Sequence, residues 1–345
     1  VIRKLLLLLV TGLALLVLAL ALAGWRLHSA LNQPLKLESE RLIEVVPGDT
    51  PGGLLNRLEG EGVLDGAFWL RLYWRFNLPN QALHSGEYRL SPQQSVRDLL
   101  GLWRRGEVVQ YSLTLVEGWS FRQVRAALTR QEALQQSLAG LDDRALMERL
   151  GLPGVSPEGR FFPDTYRYVR GMSDLDLLKQ ARARLDQVLD EEWSKRAQGL
   201  PYRKPYDALV MASMVEKETG VAEERGQIAG VFVRRLRSGM RLQTDPTVIF
   251  GLGELYNGNL TRAHLLQPTP YNTYMIDGMP PTPIALAGRE AIHAALNPVP
   301  GKSLYFVARG DGSHVFSETL EQHNRAVREY QLKRRNDYRS SPAPR

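Results

Sequence analysis

Apolar residues are distributed along this chain in two different ways. From Leu5 to Trp25 they run on without a charge, and beyond Glu38 they recur at short intervals among polar ones. About twenty apolar residues at about 1.5 Å rise each cover a hydrocarbon layer of about 30 Å, so residues 5–25 predict a membrane-spanning helix. Arg3 and Lys4 precede it. The positive-inside bias then keeps residues 1–4 in the cytoplasm and sends the rest of the chain outward. A cleavable signal sequence is the alternative, kept open by the small-residue triplet Ala19-Leu20-Ala21. Such signals carry a shorter apolar segment, and Trp25 with Arg26 and His28 suits an interfacial belt that stays in place. Residues 26–40 read as a polar linker.

After the linker a short motif recurs: an apolar extended stretch, a turn with Gly or Ser, then an amphipathic helix. The first copy is Leu42 to Leu64, with Pro47-Gly48-Asp49 as its turn and Leu54, Leu55 and Leu58 on one helical face. In the second, from Gly86, Ser95 caps a helix carrying Val96, Leu99, Leu100 and Trp103. The third begins at Leu113, where Ser120 precedes Phe121, Val124 and Leu128. Residues 41–110 are assigned to a module of these units and residues 111–335 to a larger domain. Gln131 to Gln198 reads as mostly helical, interrupted by an aromatic loop from Glu158 to Tyr168 with Gly159 and Pro163 as breakers. A Pro/Tyr turn from Leu200 to Tyr206 leads into one helix to about Thr219 and a second to about Ser238. A loop-rich region follows to Pro300. The pattern ends in a hairpin, Leu304 to Arg309 and His314 to Ser317, then a last helix and a disordered tail, residues 336–345. The fold class is therefore α+β: an apolar N-terminal helix, small strand-turn-helix units and a mixed domain.

Composition narrows the chemistry. The 345 residues contain no cysteine, which removes disulfides, thiolate metal sites and cysteine nucleophiles. Six histidines form no HExxH-type pair, so neither metal nor cofactor is expected. Net charge is +7. An outward-facing chain without an aromatic-basic stripe excludes nucleic acid as the partner of that charge, leaving an anionic bilayer or an acidic wall polymer.

One carboxylate stands out by position. In DALVMASMVEKETG, Asp207 is the expected N-cap and Gly220 the expected stop. Met211, Met214 and Val215 form an apolar stripe that Glu218 continues, while Glu216 falls toward the opposite side. Burial on the stripe and the negative end of the helix dipole both raise the pKa of a carboxyl group, as a general acid at neutral pH requires. Downstream, Gln243, Thr244 and Asp245, then Tyr271, Asn272 and Tyr274, are side chains suited to gripping a sugar polymer. Amides bind hydroxyl and acetamido groups, and tyrosine faces stack on pyranose rings. Turn chemistry accounts for the same residues individually.

The long segments EGRFFPDTY, MASMVEKETG, VFVRRLRSGMRLQTDPTVIFGLG, TPYNTYMIDGMPPTPIA and LNPVPGKSLYFVARGDGSHVFSETLEQHN, in this order, resemble the MltG (YceG-like) endolytic murein transglycosylase family. The resemblance spans nearly the whole chain. It implies a lytic transglycosylase that cleaves the MurNAc–GlcNAc bond of nascent glycan strands without water, leaves 1,6-anhydroMurNAc ends and so stops elongation. The glutamate of the EKET motif, Glu218 here, is the implied catalytic residue. PPTPIA stands where many relatives carry PPGPI, which touches subsite detail and leaves the glutamate alone. The same resemblance implies an inner-membrane protein with peptidoglycan as substrate and peptidoglycan synthases (penicillin-binding proteins) as candidate partners. The first strand-turn-helix copy is similar to the LysM-like glycan-binding module over about twenty residues; a packing unit that positions the next domain is the alternative. A non-catalytic glycan-binding scaffold is the rival for the whole chain.

Overall fold

The computed structural model describes residues 2–78 and 83–332, so the expected tail at 336–345 lies outside the described residues. Helices dominate, strands form only two-stranded sheets, and the chain divides into two compact units.

The first unit comprises Val1–Tyr111 with Ala133–Gln135 and Arg167–Met172. Helix α1, Ile2–Asn32, is long and apolar enough to cross a membrane, and its apolar side chains through Trp25 are exposed. The helix does not end where the linker was expected. Leu27, Ala30 and Leu31, spaced i, i+3 and i+4, turn the last two turns of α1 into the core of this unit, and Pro34 stops the helix beyond them. Strand β1, Arg41–Val45, leads through the Pro47-Gly48 turn to α2, Pro51–Gly60, where the Thr50 hydroxyl accepts from Gly53 N at 3.1 Å. Next come α3, Ala67–Asn77, and β2, Gly86–Leu90, which pairs antiparallel with β1 so that Ile43 faces Tyr88. The first two copies of the motif therefore share one ribbon. Helix α4, Val96–Arg105, opens on a capping box between Ser95 and Asp98 and buries Val96, Leu99, Leu100 and Trp103.

The second unit holds Ser112–Glu132, Gln136–Tyr166 and Ser173–Arg345. The third copy supplies β3, Tyr111–Thr114, and α5, Phe121–Thr129, with Ser120 and Gln123 in a capping box. After α6, Asp143–Arg149, the expected aromatic loop contains strand β4, Thr165–Tyr168, whose alternate residues Tyr166 and Tyr168 are buried. Period-two burial in TYRY is the strand signal that the Gly and Pro breakers just before it had masked.

Then follow α7, Asp174–Ser194, and α8, Pro205–Glu218. Helix α8 begins two residues ahead of the expected cap. Pro205 takes the first position, and the Asp207 carboxylate accepts from the backbone N–H groups of Arg203 (2.8 Å) and Lys204 (3.2 Å) instead of serving as N-cap. Every residue from Ala208 to Val215 is buried, so α8 has no single apolar stripe: it is the central helix of this unit, packed against α7, α9 (Arg225–Arg237) and α12 (Arg289–Leu296). The region expected to be loop-rich also holds α10, Asp245–Leu252, and α11, Arg262–Leu266. The end of the chain forms the hairpin β5, Tyr305–Ala308, with β6, His314–Ser317, followed by α13, Leu320–Val327.

Candidate active site

The last turn of α8 opens onto a cleft of about 370 Å³, lined by Glu216, Lys217, Glu218, Thr219 and Gly220 on one side and by Val116–Trp119 with Gln123 on the other. The second wall is held by backbone bonds to the strap that precedes α12. Gly118 N donates to Leu286 O and Leu286 N to Trp119 O, each at 2.8 Å. At Gly288 a side chain would collide with the Glu117 carboxylate, since a Cβ there would lie 1.9 Å from Oε1.

Glu218 sits where α8 ends and the chain turns extended at Thr219. Its carboxylate accepts a hydrogen bond from the Thr244 hydroxyl. Burial pushes its pKa up to about 7; the Thr244 bond pulls it back, Asp245 adds to the rise and Arg235 opposes it. Thr244 is itself anchored. Its N–H donates to Thr273 Oγ1 at 3.0 Å, Thr247 Oγ1 donates to its carbonyl at 2.7 Å, and the Thr247 and Thr273 hydroxyls lie 2.8 Å apart. Thr244 occupies the N-cap position of α10 yet makes no side-chain cap bond, because its hydroxyl is turned to Glu218.

The other residues read from the sequence separate into two groups. Asp245 is exposed beside this network and accepts from the Tyr274 hydroxyl at 2.7 Å; burial first, then the charge and hydrogen bond of Asp245, raise the tyrosine pKa. Gln243 is exposed in a left-handed conformation at φ 50°, with its N–H donating to Thr273 O. These three surround Thr244. Asn272 is fully buried: its Nδ2 reaches the carbonyls of His264, Leu265 and Gln267, and its Oδ1 accepts from Tyr274 N. Such an amide shapes the loop and has no free atoms for a sugar. Tyr271 bonds Thr282 and packs edge-on against Phe250 at 4.8 Å.

Glu216 was expected to point away, and it does not. It lines the same cleft, its carboxylate accepts from Gly288 N at 3.0 Å, and burial raises its pKa. The cleft wraps around the end of the helix, so residues 200° apart on the helical wheel both face it. Glu158, unnoticed within the aromatic stretch, is buried and accepts from Phe121 N with both oxygens, at 3.1 and 3.0 Å. Burial lifts its pKa to about 7, and Lys217 works against the rise. Thr273, Thr247 and Glu158 lie within the segments that carry the family resemblance, but no local pattern singled them out from ordinary turn chemistry. Among the described residues no group of three His, Asp or Glu side chains could hold a metal ion.

Comparison with known proteins decides the family. The YceG-like family profile matches residues 43–329. The chain belongs to the YceG-like family. A yceG-like protein of Listeria monocytogenes has a crystal structure that aligns with a TM-score of 0.53 at 29% identity, covering 84% of this chain and 99% of that one. An endolytic murein transglycosylase of Bacillus subtilis is 31% identical over 241 residues, 64% of this chain and 65% of its own length. One from Streptococcus pneumoniae is 28% identical over 283 residues, 72% of this chain and 51% of its own length. This YceG-like chain thus spans between about half and two thirds of the length of the curated relatives it matches.

Proposed function

We propose that this chain is a lytic transglycosylase of peptidoglycan glycan strands with Glu218 as its acid and base. The observation that carries the reading is a carboxyl group with a pKa of about 7, oriented by Thr244, at the edge of an open polar cleft. A group that titrates near neutrality can give a proton and take one back in the same turnover. The names of the bacterial relatives, endolytic murein transglycosylase, supply the substrate class.

In the first half of the reaction the protonated Glu218 gives its proton to the oxygen bridging N-acetylmuramic acid to N-acetylglucosamine, and the bond from C1 to that oxygen breaks. The carboxylate then takes the proton of the muramic C6 hydroxyl as its oxygen closes onto C1. One bond is broken and one formed, the proton passes through Glu218, and no water is consumed. The attacking hydroxyl belongs to the same sugar, so the step is intramolecular and benefits from effective concentrations of about 10⁵ M or more. Asp245, Tyr274 and Gln243 lie around Thr244, the partner of the Glu218 carboxyl, and are the side chains proposed to meet the strand. The strand-turn-helix unit beginning at Leu42 is proposed as a LysM-like glycan contact. With α1 as inner-membrane anchor and the rest outside the cytoplasm, cutting nascent strands ends their elongation beside the synthases that make them.

A second reading rests on a specific observation. Glu117 and Glu216 line the same cleft as Glu218, and a hydrolase uses two carboxyl groups. Products separate the two: hydrolysis leaves reducing ends, transglycosylation leaves anhydro ends. Mass spectrometry of uncrosslinked strands treated with the parent, Glu218→Gln and Glu216→Gln is the test. Glu218→Gln keeps size and hydrogen-bonding atoms but loses the transferable proton, so strands stay bound while anhydro ends fall by at least about a hundredfold. Glu216→Gln still offers an oxygen to Gly288 N–H and stays within about a few-fold of the parent. Anhydro ends at parental rate from Glu218→Gln, or their loss in Glu216→Gln alone, would overturn the assignment.

A further inference from the structure

Helix α3 is apolar on two opposite faces. Ala67, Leu70 and Trp74 are buried in the core of the first unit, as a helix packed on one side requires. On the other side Phe68, Leu72 and Phe76 follow one another at i, i+4 and i+8 and are 58%, 37% and 74% exposed. Arg71 and Arg75, both exposed, flank this second stripe. Aromatic and leucine side chains bordered by arginine form the composition of a helix that lies in a bilayer interface, with its rings among the acyl chains and its guanidinium groups on the phosphates.

The position of α3 names the occupant. Helix α1 runs without a break from its exposed apolar stretch into the core of this unit, where a Cβ built at Gly66, just before α3, would lie 3.3 Å from the Ala30 side chain. Ala30 is five residues beyond Trp25, about 7.5 Å along the axis at 1.5 Å per residue. The headgroup layer on each side of a bilayer is of that depth. With Leu5–Trp25 in the hydrocarbon, the first turn of α3 is therefore at headgroup level, and Phe68 stands on it.

We infer that α3 is a second membrane contact: its Phe68, Leu72 and Phe76 stripe rests in the outer interface of the same bilayer that α1 crosses and sets the orientation of the first unit against the membrane. The inference rests on the reading of α1 as an anchor.

The chain has no cysteine, so a single introduced one carries a unique label. The 345-residue chain, reconstituted in phosphatidylethanolamine/phosphatidylglycerol vesicles, is labelled with an environment-sensitive fluorophore in Phe68→Cys, Phe76→Cys, Leu15→Cys and Lys195→Cys. Quenchers attached high on the lipid chains are expected to dim Phe68→Cys and Phe76→Cys at least about twofold more than Lys195→Cys, and deep quenchers to dim Leu15→Cys. Quenching at Leu15→Cys with none above the Lys195→Cys level at the α3 positions would overturn the inference and leave the anchor standing. Absence of quenching at Leu15→Cys as well would remove the anchor reading with it. A blue-shifted α3 label that lipid quenchers do not reach would mean that protein or glycan covers the stripe, and would equally overturn the inference.

Discussion

The chemistry of this chain turns on how single side chains are solvated. Glu218 combines burial, which favours the neutral acid, with one hydroxyl donor that favours the anion. Removing that donor in Thr244→Val pushes the carboxyl further up, so the alkaline limb of the rate profile should move to higher pH while kcat falls because the carboxyl is no longer oriented. A pH–rate profile of anhydro-end formation checks both; a limb that moves down would refute the assigned role of Thr244. Glu158 allows a test on stability. Its pKa rises from 4.5 to about 7 on folding, so the native state holds the proton more tightly than the unfolded chain. Stability from this group is thus full below about 4.5 and lost progressively as pH rises through 7. Glu158→Gln has no charge to bury, so its Tm should exceed the parent's at pH 8 and converge with it at pH 5, as scanning calorimetry at both pH values would show.

At the level of elements, the hydrogen-bond network at Glu218 joins three chain segments: the end of α8, the turn before α10 and the turn through Asn272 and Thr273. The Thr247 and Thr273 hydroxyls and the backbone N–H and carbonyl of Thr244 join the last two, and all three threonine side chains are buried. Thr273→Val leaves the Thr244 N–H without its acceptor, an expected loss of about 1–3 kcal/mol in denaturant unfolding together with reduced activity, since the turn that presents Thr244 loosens. Activity lost without any loss of stability would point to a direct role for Thr273 with substrate. The elements themselves were legible where local chemistry decides them. Ser95 before Val96 and Ser120 before Phe121 cap α4 and α5, and the Gly310–Ser313 turn closes the last hairpin. Helices α10 and α12 were not, because their sequences are short and sit among Pro and Gly. Their burial comes from packing, with α12 lying along α8.

For the whole molecule, topology is the prediction with the widest consequence. A reporter fused after Arg345 should be active only outside the cytoplasm; a cytoplasm-active reporter would remove the substrate along with the localisation. Read by itself, the sequence determined the apolar N-terminal helix, the mixed α+β class and the family, and it singled out Glu218 as the candidate acid. All of these are written in contiguous segments, where composition, caps and motif order are local properties. Only the tertiary structure decided what surrounds that carboxylate. A helical wheel placed Glu216 on the far side, yet a cleft that wraps a helix end receives both residues. Asn272 had the chemistry of a sugar ligand, but three backbone carbonyls around it use its amide. Thr244 and Glu218 are 26 positions apart, and their hydrogen bond exists because the turn before α10 is folded back onto the end of α8. Proximity across such separations, and the desolvation that sets a pKa, are properties of packing between segments; no window along the chain contains them.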